Sequence, residues 1–136
     1  MKLGVKLAFM LVTLACVVGC ASTSTIAVPE DGFNIHLIDA NGTITGFDKI
    51  QSALDAIGNT EGEFTILLEK GTYSEIFINY NGPANITFKG NTNAKYGADV
   101  IVTGRGSNMG AERARELIEL QGSGNFIFEN LTLLSD

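Results

Sequence analysis

The sequence predicts an all-β fold, a β-solenoid of short strands with one short α-helix covering the open end of its first coil. Apolar, β-rich runs recur from residue 64 onward, and glycine or asparagine corners separate most of them. One amphipathic pattern precedes these runs and predicts the helix. The irregular connections favour a solenoid, in which each coil buries its side chains against its neighbours, over a sandwich of hairpins.

The composition of the 136-residue chain fits one folded domain. Hydrophobic residues make up 45% and charged residues 18% of the chain, which argues against disorder. The formal net charge of -6 argues against a nucleic acid as partner, because phosphate backbones attract basic surfaces.

The pattern of residues 1–19 resembles a bacterial lipoprotein signal peptide. Lys2 and Lys6 precede the apolar run Leu7–Val18, which is too short to span a bilayer. Gly19 and Cys20 follow, as in the box that precedes the lipidated cysteine. We therefore expect Cys20 to carry the lipid and to anchor an exported protein at the membrane, in the periplasm or at the cell surface. An uncleaved anchor or plain secretion is the alternative.

Two segments follow the signal peptide. Residues 20–32 comprise the lipidated cysteine and a flexible tether rich in small residues, and residues 33–136 form the β domain. Cys16 would leave with the signal peptide, so Cys20 has no disulfide partner. Export also argues against cytoplasmic cofactors such as NAD, and no cofactor is predicted.

The predicted elements begin with a strand at Phe33–Ile38 and a turn at Asn41-Gly42. The helix is predicted over Thr45–Gly58, with Thr45 and Asp48 forming a capping box. The remaining predicted strands are Phe64–Leu68, Glu75–Asn79, Asn85–Lys89, Asp99–Thr103, Leu117–Leu120, Asn125–Glu129 and Leu131–Leu134.

Four short motifs occur in an order and spacing that match one enzyme family. They are Phe47 with Ile50-Gln51 and Ala53-Leu54; Gly71, Tyr73 and Glu75; Ile86-Thr87-Phe88-Lys89-Gly90; and Asn130-Leu131-Thr132. From about residue 33 to its end, the chain thus resembles the pectinesterases. The resemblance implies a right-handed parallel β-helix, of which only N-terminal coils are present. It also implies a carbohydrate esterase that hydrolyses methyl esters of pectin-like polysaccharides without a metal or organic cofactor.

The motif residues are expected to build the scaffold. Gly71 supplies a turn that a residue with a β-carbon would resist. Tyr73 offers an apolar ring whose hydroxyl can reach a backbone partner. Glu75 could satisfy backbone donors at a corner of the chain. Gly90, Asn130 and Thr132 are likewise expected to be structural.

No catalytic residue is assigned. In the resembled family an aspartate nucleophile and a second aspartate act after the asparagine-leucine-threonine motif, whereas this sequence stops at Asp136. The charged run Glu112–Glu116 stands where the family contacts substrate. The single histidine, His36, is expected to be structural, and no zinc or calcium spacing is present. The chain is therefore expected to be an inactive N-terminal fragment of a pectinesterase-like enzyme.

The alternative is a non-enzymatic surface lipoprotein that binds polysaccharide or a partner on one face of its β-helix. This hypothesis predicts a row of exposed aromatic side chains, for which Tyr73, Phe77, Tyr80 and Tyr96 are the candidates. Either hypothesis leaves Leu131, Leu133 and Leu134 at an open end of the fold, and we therefore expect the chain to self-associate.

Overall fold

The computed structural model describes residues 24–74, 76–104 and 118–135. The predicted signal peptide, Cys20, Glu75 and the charged run Glu112–Glu116 lie outside the described residues.

Within these ranges the chain forms one α-helix and ten strands. In chain order they are β1 (Ile35–Ile38), β2 (Ile44–Phe47), α1 (Ile50–Ile57), β3 (Glu63–Leu68), β4 (Gly71–Ser74), β5 (Ile76–Tyr80), β6 (Asn85–Gly90), β7 (Val100–Gly104), β8 (Ile118–Gly122), β9 (Asn125–Glu129) and β10 (Thr132–Ser135).

The largest sheet is mixed and has the strand order β2-β1-β3-β6-β9. A hairpin begins it, because the Asn41-Gly42 turn brings β2 back antiparallel to β1. Asp39 stabilises this turn by accepting hydrogen bonds from the backbone N–H groups of Asn41 and Thr43, each 2.9 Å long. β1 also pairs antiparallel with β3, whereas β3, β6 and β9 run parallel to one another.

Two smaller sheets complete the fold. β4, β7 and β10 form a parallel sheet with β7 in the centre, and β5 pairs in parallel with β8. These parallel pairs connect strands that are distant in the sequence, so the order of the elements along the chain does not reveal them.

The predicted right-handed parallel β-helix is wrong. The structure consists of small mixed and parallel sheets, and the described residues contain no closed or solenoid sheet. The antiparallel hairpin of β1 and β2 is the clearest departure. It follows from Asn41-Gly42, since Gly42 adopts a φ of 82°, which favours a tight reversal of the chain.

The helix is shorter than predicted at its N-terminal end. Residues Ile44–Phe47 form β2, and α1 begins only at Ile50. The predicted capping box is wrong, because Lys49 is the N-cap and provides no side-chain hydrogen bond to the helix. Gly58 ends the helix as predicted, with φ at 55° and its N–H bonded to the carbonyl of Leu54 at 3.1 Å.

The core lies between the sheets and the helix. α1 buries Ala53, Leu54 and Ile57 and packs chiefly against β5 and β1. Along β6, Ile86 and Phe88 are buried while alternate residues are partly exposed, as the period of a strand requires. Each buried aliphatic or aromatic side chain of this kind stabilises the fold by about 2 kcal/mol.

The final strands leave apolar side chains in contact with solvent. Leu120, Ile127, Leu133 and Leu134 are each about half exposed, whereas Leu131 packs partly against the core. The self-association predicted from this end of the chain stays a prediction.

Candidate functional site

A surface groove of about 440 Å³ lies where the ends of β6 and β9 meet the turn before β7. We call it the tyrosine groove, and its lining residues are Lys89, Ala94, Lys95, Tyr96, Glu129 and Asn130.

Tyr96 is the most distinctive residue of this groove. Its side chain is 77% exposed, although tyrosine rings are usually at least partly covered. Its φ of 61° lies in the left-handed region, which a residue with a β-carbon seldom adopts. Exposure of a large ring on strained backbone is a combination found at binding sites.

The side chains of Asn130 and of Thr132, the first residue of β10, support the segment that carries Tyr96. The Asn130 side-chain amide donates to the carbonyls of Gly90 (3.0 Å) and Thr92 (2.9 Å). The Thr132 hydroxyl donates to the carbonyl of Tyr96 at 3.2 Å. These bonds fix the ring on a supported turn.

Glycine is required at two places beneath the turn. A Cβ added at Gly90 or at Gly97 would collide with the backbone carbonyl of Asn130. Gly97 also has a φ of 65°, which glycine adopts without strain. Glycine is therefore favoured at this position both by the nearby Asn130 carbonyl and by the backbone conformation. Of the motif residues singled out in the sequence, Gly90, Asn130 and Thr132 thus meet at the tyrosine groove.

Charged side chains surround the ring. The Lys95 ammonium lies 4.8 Å from the centroid of the Tyr96 ring, within the range of a cation–π contact. Lys89 and Glu129 face each other across β6 and β9, with their charged atoms 3.7 Å apart. No carboxylate of the described residues lies within ion-pair distance of Lys95. The groove therefore carries two positive charges and one negative charge in a chain whose net charge is -6.

The other motif cluster lies elsewhere. The Tyr73 hydroxyl lies 2.7 Å from the Glu69 carbonyl and 3.0 Å from the Asn34 carbonyl, to which it can donate. Burial, followed by the nearby Glu69 carboxylate, raises the pKa of Tyr73 to about 12, so its phenol stays neutral. Gly71 has a φ of 155°, and its N–H donates to the Asp99 carbonyl at 2.9 Å.

Tyr73 does line a second groove of about 420 Å³, together with Phe77, Lys49 and Gln51 among others. The Gln51 side chain is already engaged there, because it exchanges hydrogen bonds with the backbone of Asn79 at 3.0 and 3.2 Å. This second groove thus has fewer free polar groups than its lining suggests.

The predicted row of exposed aromatic residues is wrong. Tyr80 is only 5% exposed, and its hydroxyl accepts a hydrogen bond from the N–H of Ala84 at 3.2 Å. Tyr73 and Phe77 are half-buried. Of the four candidates, Tyr96 alone presents most of its ring to solvent.

A third groove, of about 530 Å³, lies beside the β1–β2 turn, and Asp39 and Glu61 are among its lining residues. Asp39 is engaged by the backbone of that turn, so the pKa of its carboxyl is held below the ordinary value of 3.8 by the N–H of Thr43 and then of Asn41. Across the described residues, no group of three or more histidine, cysteine or acidic side chains is arranged to hold a metal ion.

No family model, curated protein or solved structure matches the chain. Among the residues that the structure describes, no helix has the length and apolar character needed to cross a membrane.

Proposed function

We propose that this protein is a non-catalytic lipoprotein that binds an acidic, pectin-like polysaccharide in the tyrosine groove. The observation that carries the proposal is the ring of Tyr96, held open to solvent on a supported turn with the Lys95 ammonium beside it. The resemblance to pectinesterases supports the class of ligand.

The chemistry of the groove matches a sugar that carries a carboxylate. The C–H groups on one face of a pyranose ring pack against an aromatic face, and the positive edge of those C–H bonds meets the negative face of the ring. Lys95 and Lys89 would attract the carboxylate.

The Lys89–Glu129 pair offers a way to select acidic sugars. Glu129 lies 3.7 Å from Lys89 and neutralises part of its charge in the free protein. A ligand carboxylate could replace Glu129 as the partner of Lys89, whereas a neutral sugar would have to compete with the existing pair. Acidic oligosaccharides should therefore bind more tightly than neutral oligosaccharides of the same length.

The groove supports binding rather than ester hydrolysis. Hydrolysis through a covalent intermediate needs an activated nucleophile and a partner that transfers protons. Among the residues that the structure describes, Glu129 is the only carboxylate lining the groove, and it is already paired with Lys89. We accordingly assign no catalytic role to any residue of the groove.

Calorimetric titration with oligogalacturonate and with its methyl ester tests the proposal. Tyr96→Ala removes the ring and should weaken binding about tenfold, since stacking on an aromatic side chain contributes roughly 1–3 kcal/mol where it has been measured for other planar ligands. Tyr96→Phe keeps the ring and is the matched control, which should bind within about twofold of the parent, because the hydroxyl adds at most a weak exposed hydrogen bond.

A second pair of variants tests the role of charge. Lys95→Gln should weaken binding of oligogalacturonate more than that of its methyl ester. Lys49→Gln removes a lysine that lies in the other groove and should leave both affinities unchanged. Equal binding by the parent and by Tyr96→Ala, or no binding of either ligand by the parent, would overturn the proposal.

A further inference from the structure

His36 occupies an unusual position in β1. Its side chain is 0% exposed, and two carboxylates flank its ring. The Nε2 atom lies 3.2 Å from Oδ1 of Asp31, and the Nδ1 atom lies 3.8 Å from Oε1 of Glu69. Protonation of this buried imidazole places a positive charge between two carboxylates and therefore changes its attraction to both of them.

Hydrogen-bond chemistry determines which protonation state this geometry suits. An ionised carboxylate only accepts, so Nε2 must carry the proton that it donates to Asp31. In the neutral ring, Nδ1 is then a bare acceptor that faces the acceptor oxygen of Glu69. Nδ1 indeed has no hydrogen-bond partner among the described residues. A second proton would turn Nδ1 into a charged donor 3.8 Å from the Glu69 carboxylate, which is within ion-pair distance.

The same residues attach the N-terminal strap, which we define as residues 24–34. The strap lies outside the helix and the strands. The Asn91 side chain accepts from the Ile26 N–H at 2.7 Å and donates to the Ile26 carbonyl at 2.8 Å. Asn91 also donates to Oε1 of Glu69 at 2.7 Å. Glu69 therefore connects the anchoring point of Ile26 with His36.

The other end of the strap meets the same cluster. The carbonyl of Asn34 accepts from the Glu69 N–H at 2.9 Å. Asp31 accepts from the Phe33 N–H at 3.0 Å as well as facing His36. Both ends of the strap are thus fastened around a single buried ring.

We infer that His36 is a proton-dependent latch that fastens the N-terminal strap to the domain through Asp31 and Glu69. The imidazolium attracts the Asp31 carboxylate of the strap on one side and the Glu69 carboxylate on the other. Loss of its second proton leaves Nδ1 and Glu69 as two acceptors facing each other, and it weakens the Asp31 contact to a hydrogen bond from a neutral donor, so the strap loosens.

The surrounding groups fix the direction of the pH dependence. Among the described residues, the charged groups in contact with the ring are Asp31 from the strap and Glu69 after β3. Tyr73 from β4 bonds to the Glu69 carbonyl, and its phenol stays neutral because its pKa is about 12. β2 places uncharged Gly46 opposite His36, and the side of α1 that faces the core is apolar. The latch therefore weakens when the imidazole loses its second proton.

Acid also opens the latch, but at a lower pH. The Phe33 N–H and then His36 hold the pKa of Asp31 below its ordinary value of 3.8. Asp31 therefore loses the negative charge that faces His36 only once the pH falls through that lowered value. The strap is most firmly held when Asp31 is ionised and the imidazole carries both protons.

Nuclear magnetic resonance on the full chain tests the latch. Nitrogen shifts of the His36 ring report its protonation, and hydrogen exchange of the Ile26 amide reports opening of the strap. Exchange is expressed relative to the intrinsic rate at each pH. Protection of Ile26 should fall about tenfold as His36 loses its second proton, which is the factor for one charge-assisted hydrogen bond. The amide of Asn85, bonded to the Gly62 carbonyl at 2.9 Å, is the control and should not change over the same range.

Two variants make the outcome decisive. His36→Gln keeps a neutral donor near Asp31, and protection of Ile26 should no longer change over the pH range in which His36 of the parent loses its second proton. Asp31→Asn, at a side chain that is 28% exposed, should reduce the pH response without disturbing the core. The inference is wrong if Ile26 protection in the parent does not follow the His36 titration, or if Asp31→Asn retains the full response. The Asp31 variant alone decides the matter if His36→Gln does not fold.

Discussion

Tyr96 shows how a single residue can give up stability for function. A tyrosine at a φ of 61° is less stable there than a glycine would be, because the β-carbon crowds the backbone. Burial of the ring offsets little of this loss of stability, since 77% of the residue is exposed to solvent. The sequence names Tyr96 among its exposed aromatic candidates, but the left-handed turn that presents it depends on contacts from Asn130 and Thr132, which lie far along the chain.

This residue-scale account predicts the effect of Tyr96→Gly. The substitution should raise the free energy of unfolding by about 1 kcal/mol, because glycine adopts the left-handed region without crowding. It should weaken binding of oligogalacturonate about tenfold at the same time, as expected for Tyr96→Ala. Urea unfolding of the parent and of Tyr96→Gly measures the first effect. A variant that is less stable than the parent would show that the ring supports the fold.

At the scale of elements, the sequence predicts strands better than it predicts their partners. The strand Asn125–Glu129 coincides with β9 because a short run of β-forming residues, Phe126–Phe128, lies between Gly124 and Asn130. The capping-box pattern of Thr45 and Asp48 predicts a helix over Thr45–Phe47, although in the structure these residues belong to β2 and pair with β1. β4 is not predicted, because Gly71 indicates a turn.

The register of the strands explains why much of the tyrosine groove escapes sequence analysis. Lys89 and Glu129 meet because β6 and β9 pair in parallel with these two residues opposite each other. Nothing local to either strand specifies that register. Only the assembled sheet brings the two charges beside Tyr96.

Asn130 is predicted to link the elements around the groove. Asn130→Ala removes the donors to the Gly90 and Thr92 carbonyls and places an alanine at a φ of 54°. We expect it to lower the free energy of unfolding by about 2 kcal/mol and to weaken sugar binding, since the turn that carries Tyr96 loses its support. Thermal unfolding and calorimetry measure the two effects.

Asn125→Ala provides the control for this prediction. Asn125 is an exposed asparagine at the start of β9, and its side chain bonds only to that of Asn85 among the described contacts, at 2.7 Å. It should change stability by less than about 1 kcal/mol and leave binding unaffected. If the two variants behave alike, Asn130 has no special role beneath the groove.

For the whole molecule, the sequence predicts a mostly-β chain but gives the wrong architecture. The expectation of a single parallel β-helix fails because a tight Asn-Gly turn starts the largest sheet with an antiparallel hairpin. The acidic net charge of -6 surrounds a groove with two ammonium groups. A long polyanion should therefore be repelled by most of the surface and held at one place, and its binding should weaken as salt screens both effects.

The membrane anchor is a prediction at this same scale. Cys20 is expected to carry the lipid, because it follows an apolar run in the manner of a lipoprotein signal. In cells that process bacterial lipoproteins, Cys20→Ser should move the protein from the membrane fraction to the soluble fraction, and lipid labelling should disappear. Cys16→Ser, within the apolar run, should leave both unchanged. Continued labelling of Cys20→Ser would contradict the predicted anchor.

The most direct test of the tyrosine groove as a binding site is a chemical-shift titration of the assigned protein with oligogalacturonate. The proposed function predicts that the largest saturable shifts fall on Lys89, Lys95, Tyr96 and Glu129, while residues around Tyr73 and Phe77 remain unchanged. Shifts confined to the Tyr73 groove, or none that saturate, would contradict it.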